Sequence, residues 1–140
     1  VSRAPAVILR VDGASRGNPG HAGAGAFVEV EGLDGPVERY EYLGETTNNV
    51  AEYRALLLGL DEAAIHAPSS VTVYSDSELL VRQLNGRYKV KAPALVPLFA
   101  EATRRLRAFP GVRVVHVPRE QNREADLLAN RAIDERFRDR

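Results

Sequence analysis

Three strand-like segments precede the first helix, and every later strand is separated from the next by helical sequence. Few α/β architectures allow that order. "AVILRVDG" (residues 6–13), "GAFVEVEG" (25–32) and "VERYEYLG" (37–44) are apolar or alternating runs bounded by turn residues such as "LDGP". Connections this short join antiparallel neighbours. "NNVAEYRALLLGLDEAAIHA" then predicts a helix of about 18 residues stopped by Pro68. "VTVYSD" (71–76) is a strand, and "SELLVRQLN" a short helix ending near Gly86. "PALVPLFAEATRRLRAF" is a helix with Pro97 near its start, "VRVVHVP" a last strand, and "NREADLLANRAIDERF" a closing helix with Asn122 as its natural cap. The fold class is α/β: a mixed sheet, first an antiparallel meander and then parallel strands, with helices on its faces.

The 140 residues suit one domain spanning 1–140, and 44% hydrophobic with 27% charged residues is ordinary for a globular chain. No apolar run is long enough to span a membrane and no signal-peptide pattern opens the chain. There is no cysteine, which removes disulfides, thiolate nucleophiles and cysteine zinc sites and suits the cytosol. A cytoplasmic monomer with no membrane association is expected. The chain begins with Val1, and an initiator methionine or a longer parent protein is an expectation that this start allows. A net charge of zero argues against an indiscriminate polycation. Residues 1–70 hold five basic and ten acidic side chains, and residues 71–140 fourteen and nine. That asymmetry permits a basic face in the second half, or simply solvated surface.

Four acids stand out. Asp12 and Asp76 each fall where an apolar strand ends, the place where open α/β sheets gather ligands. Either one alone also reads as an ordinary turn or cap residue. Glu52 shares the apolar stripe of its helix with Leu56, Gly59, Leu60 and Ala63, while Arg54 and Asp61 lie on the other side. A carboxylate facing a core is costly unless it is paired or bound to a cation. Asp126 shares a stripe with Ala129, Ile133 and Phe137, and its charge also suits a helix N-terminus. Four convergent carboxylates would repel one another and resist ionisation. An oxygen-only set with no cysteine or histidine suits Mg²⁺ or Mn²⁺ better than zinc. Such sites complete their shell with water and substrate phosphate, which points to metal-assisted phosphodiester chemistry.

"VDGASRGNPGHAGAG" (11–25) lacks the lysine ending of a nucleotide-binding loop and the spacing of a dinucleotide fingerprint. A tight hairpin turn accounts for Gly17, Pro19 and Gly20. Gly13, directly after Asp12, is expected to let another backbone approach the metals, so the stretch reads as a ligand followed by an approach loop.

"DGASRGNPGHAGAGAF", "TTNNVAEYRALLLGL", "YSDSELLVRQLNGRYKVK" and "VPREQNREADLLANRAID" together resemble the successive motifs of type 1 ribonuclease H, in order and spacing, over nearly the whole chain. The resemblance implies the ribonuclease H-like fold with a five-stranded mixed sheet. It also implies two-metal cleavage of the RNA strand of an RNA–DNA hybrid, leaving 5′-phosphate and 3′-hydroxyl ends. The family's acidic positions fall on Asp12, Glu52, Asp76 and Asp126. The resemblance further puts Gly13, Asn18, Asn48 and Asn49 near the hybrid backbone and RNA 2′-hydroxyls, and Thr47 at a pocket for a DNA phosphate. Thr47 and Asn48 also suit plain helix capping.

Two departures bear on the site. The histidine that many bacterial members carry before the final aspartate is absent from "VPREQNREAD", which resembles the archaeal-like and actinobacterial branch with arginine there; Arg119 is the candidate. His116 lies within the strand "VRVVHVP" and reads as a strand residue. Arg119 alternatively pairs with Glu120 or Glu124. The long basic protrusion of some bacterial members is missing, and Arg87, Lys89 and Lys91 remain as a phosphate-contacting patch or as plain surface charge. A non-catalytic hybrid-binding module and a resolvase- or transposase-like DNA nuclease of the same architecture are the rival readings. A pure binder gains nothing from four repelling acids, and the asparagines favour an RNA strand.

Overall fold

The structure is a computed structural model that describes residues 4–138. Its five-stranded sheet has the order β3-β2-β1-β4-β5. β1 (Ala6–Gly17), β2 (Gly20–Val30) and β3 (Val37–Thr46) form the antiparallel meander. β4 (Ser70–Ser75) runs parallel to β1, and β5 (Val112–His116) parallel to β4. Four α-helices connect or close the sheet: α1 (Asn48–Ile65), α2 (Glu78–Leu84), α3 (Val96–Arg107) and α4 (Arg123–Arg138). The expected mixed sheet and its helices are all present.

The glycine-rich stretch differs from its reading as a loop. β1 continues past Gly13 to Gly17 and β2 begins at Gly20, so residues 11–25 form a hairpin whose turn is confined to Asn18 and Pro19. The physical reason is close packing. A Cβ on Gly13 would collide with the backbone of Ala51 and Glu52 in α1, and one on Gly25 with Ala125 O and, at 2.6 Å, Ala129 N of α4. Gly13 pairs with Ala24, whose neighbours Gly23 and Gly25 point the opposite way, so α1 and α4 cover opposite faces of the same strands. The glycines therefore mark where helices press onto the sheet.

On the α1 face, Val7, Leu9, Val11, Val28, Leu56, Leu60, Val71 and Val73 build the core. α3 packs on α1 and buries Ala102 and Leu106. Tyr53, fully buried in α1, donates its hydroxyl to Gln83 Oε1 at 2.6 Å and ties α1 to α2. α4 buries Ala125, Leu128, Ala129, Ala132 and Ile133 against the other face. Among the described residues no helix is long and apolar enough to cross a membrane.

Candidate active site

The parallel pairing of β1 with β4 runs from Ala6–Ser70 to Arg10–Tyr74 and stops there, although β1 goes on to Gly17. Two backbone groups beyond that point find side-chain partners. Val11 O accepts a 2.9 Å hydrogen bond from Asn122 Nδ2, and Gly13 N–H donates to Glu52 Oε1. Side chains thus replace a missing strand partner at the place where the sheet splits. That split is the crevice at strand ends where α/β sheets collect ligands. Asp76 directly follows Ser75, the last residue of β4. Ser75 Oγ accepts from Ser77 N–H at 3.0 Å, and Ser77 caps α2 by accepting from Leu80 N–H, so Asp76 sits in a fixed strand-to-helix turn.

Oxygens of Asp12, Glu52 and Asp76 all lie within 4.8 Å of one another. Asp12 and Glu52 are buried, Asp76 and Asp126 half-buried. Asp126, in the first turn of α4, falls outside that trio but is within hydrogen-bonding reach of Asp12. Burial pushes the Asp12 carboxyl far above the usual carboxylate range, and the charges of Glu52 and Asp76 add to the shift. Burial also raises Glu52, partly offset by the Gly13 N–H. It raises Asp76 too, against the Asn122 amide and the Arg119 charge, which favour the ionised form. Among the described residues no salt bridge reaches any of the four acids. An oxygen-only cluster that no salt bridge reaches fits a hard divalent cation. Asp12, Gly13, Asn48, Asp76, Arg119 and Asp126 line one open cleft, with Ser15, Arg16 and Asn130 at the same surface.

A reverse transcriptase-like family model matches residues 10–132. A ribonuclease HI of Halobacterium salinarum is 42% identical over 125 residues, covering 89% of this chain and 62% of its own length. A ribonuclease H of Pseudomonas syringae is 33% identical over 146 residues, covering 92% of this chain and 93% of its own. The chain belongs to the type 1 ribonuclease H family. It is also 43% identical over 129 residues to a bifunctional protein of Mycobacterium tuberculosis, matching 91% of this chain but only 35% of that longer protein. The solved N-terminal ribonuclease H domain from Mycobacterium tuberculosis superposes with a TM-score of 0.90 at 41% identity, covering 96% of this chain and 98% of that one. The LC11 ribonuclease H1, solved in complex with an RNA/DNA hybrid, gives 0.87 at 43% identity, with 94% and 99% covered.

Within this ribonuclease H domain the other residues singled out above fall in different places. Asn18 Oδ1 accepts from Asn48 N–H at 3.0 Å, joining the β1–β2 turn to the start of α1. Thr47 is the N-cap of α1 and accepts from Val50 N–H at 3.3 Å, so its capping role is present. Asn48 and Asn49 are exposed in the first turn, with Asn48 on the cleft. Gly13 lies mid-strand and its N–H is engaged by Glu52; the backbone it admits is that of α1. Arg119 occupies a short 3₁₀ turn at the cleft and makes no salt bridge to Glu120 or Glu124. His116 is exposed at the end of β5. Arg87, Lys89 and Lys91 are exposed after α2 and are not part of the cleft lining.

Asn122 departs from its expected role. It precedes α4, but its side chain does not cap the helix; its Nδ2 donates to Val11 O, and its Oδ1 is buried with no partner among the described residues. The missing ladder partner of β1 claims the amide. Arg16 and Asn130, unlike Asn122, are not among the residues that the sequence points to. Their asparagine and arginine types carry no local signal, and only their place beside Asp126 gives them meaning.

Proposed function

We propose that this domain is a nuclease that hydrolyses the RNA strand of RNA–DNA hybrids, with Asp12, Glu52, Asp76 and Asp126 holding Mg²⁺ or Mn²⁺, two ions per site with substrate. The observation that carries the reading is the meeting of three carboxylates within 4.8 Å with no cationic side chain bonded to them. The ribonuclease HI relative and the hybrid-bound ribonuclease H1 support the choice of substrate. When bound, such ions supply activation of a water and charge stabilisation at the leaving 3′-oxygen, giving 5′-phosphate and 3′-hydroxyl ends.

The chain's own residues do the rest. Asp12 and Glu52 are held by burial and by the Gly13 N–H, so the ligand oxygens need little reorganisation. Asn18, Asn48 and Asn49 carry amides that both donate and accept, which suits recognition of a 2′-hydroxyl. Arg119 brings a permanent positive charge to the cleft and cannot serve as a base. Arg87, Lys89 and Lys91 supply exposed charge for backbone phosphates.

Labelled RNA–DNA hybrid, duplex DNA, duplex RNA and single-stranded RNA, each with Mg²⁺, Mn²⁺ or a chelator, test the reading. Hybrid cleavage on the RNA strand alone, abolished by chelator, is the expected result. Binding of hybrid without cleavage in either metal would favour the non-catalytic reading, and nicking of duplex DNA the resolvase-like one.

A further inference from the structure

Asp126 differs from the other three acids in what fixes it. Asp12 lies within a strand, Glu52 is held by a backbone N–H, and Asp76 sits in a capped turn. The Asp126 side chain is half-buried on the first turn of α4, within hydrogen-bonding reach of Asp12 and near enough to Asp76 to raise its carboxyl. An amide meets it. Asn130, one turn further along α4, donates from Nδ2 to Asp126 Oδ1 at 3.3 Å and to Asp126 O at 3.0 Å. Asparagine within a helix is a poor helix former, and this one is engaged at both ends. Its Oδ1 accepts from Arg16 Nη2 at 3.2 Å, and Arg16 in turn pairs with Asp134 at 2.8 Å.

The arginine settles which way the amide faces. Guanidinium has only donors, so Asn130 must turn its oxygen toward Arg16 and its NH₂ toward the carboxylate. The reversed amide would set donor against donor and oxygen against carboxylate. Arg16 comes from β1, so the chain of contacts ties that strand to α4 across the cleft that Asp12, Asp76 and Asp126 line.

We propose that Asn130, oriented by Arg16, is a positioning residue that holds the Asp126 carboxylate at the cleft, setting the fourth acid separately from the buried trio. The proposal rests on Asp126 being one of the metal-holding acids. Its consequence is on metal affinity more than on the rate at saturation, because the amide's two ends are taken by Asp126 and Arg16 and it acts through the carboxylate. Removing such an outer partner of a metal ligand weakens binding on the order of 10-fold.

The test measures Mn²⁺ binding to the substrate-free protein by calorimetry, single-turnover hybrid cleavage across Mn²⁺ concentrations, and thermal unfolding in chelator. Asn130→Ala is expected to shift both the calorimetric and kinetic Mn²⁺ midpoints upward on the order of 10-fold, while the rate at saturating metal recovers. Arg16→Ala should shift them in the same direction by less. Asn130→Asp, which turns an oxygen toward Asp126, should lose more than Asn130→Ala. Unchanged Mn²⁺ midpoints in Asn130→Ala, with or without a fall in thermal stability, would overturn the proposal. If Asp126→Asn itself leaves metal binding and cleavage intact, the assignment of Asp126 fails and the clamp with it. Loss in Asp126→Asn beside wild-type behaviour in Asn130→Ala removes the clamp alone.

Discussion

Arg119 lies near enough to Asp76 to work against the burial that raises its carboxyl, and it lines the cleft without a salt bridge of its own. An arginine keeps its charge at any working pH, so its contribution is electrostatic. Arg119→Ala should lower the single-turnover rate on a hybrid on the order of 10-fold or more at saturating Mg²⁺. Arg119→Lys should restore part of the loss through charge alone. Neither variant should remove a titration in the histidine range, and His116→Ala, at an exposed strand end, should leave the rate within twofold of wild type, roughly. A wild-type rate for Arg119→Ala would leave the arginine a surface residue, and a collapse for His116→Ala would move the role to the histidine.

Helix α4 reaches its position because β2 offers glycine where a side chain would hold it off. Gly25 pairs with Asp12 in the hairpin, and its Cα faces Ala125 and Ala129, the residues on either side of Asp126 along the buried stripe. The same glycine therefore sets the distance between the Asp12 strand and the Asp126 helix. Gly25→Ala puts a methyl against Ala125 O and Ala129 N, backbone atoms that move only with the whole helix. Urea denaturation should show a loss of about 1–3 kcal/mol, with more where the helix cannot shift. Cleavage by the folded variant should fall as well, because Asp126 is carried outward. Gly35→Ala, in a turn with nothing within 4 Å of the added Cβ, is the control and should do neither. Equal stability of the two variants would mean that α4 does not depend on that close approach.

At the scale of the whole molecule, the acid cluster opposes folding until its charge is compensated. The Asp12 carboxyl is raised in the folded protein, chiefly by burial, so the folded state keeps a proton that the unfolded chain gives up near the ordinary carboxylate range. With more protons bound in the folded form, stability falls as pH rises above that range. In chelator, Asp12→Asn should unfold at a higher temperature than wild type at pH 8, with the gap shrinking toward pH 5, and should cleave no hybrid. Mn²⁺ should raise the wild-type midpoint more than the variant's. A gap that stays flat with pH would mean that Asp12 ionises freely in the folded protein. Much of this architecture was legible in the chain, because apolar periodicity is local: it separated strands from helices and put Glu52 on the buried face of α1. Two acids read as strand ends and two on inward stripes were enough to suggest a metal-holding site, although Asp12 lies inside β1, where the pairing with β4 stops and the strand does not. The hairpin turn at Gly17, Pro19 and Gly20 was legible, but the roles of Gly13 and Gly25 were not, since a missing side chain looks the same whether it frees a turn or admits a helix. Only packing against α1 and α4 makes Gly13 and Gly25 the points where helices meet the hairpin. Asn122 bonds Val11 across 111 residues and Arg16 bonds Asn130 across 114. Nothing in the neighbourhood of either asparagine encodes its partner, so these roles were decided by where the sheet splits and which helix end closes the gap.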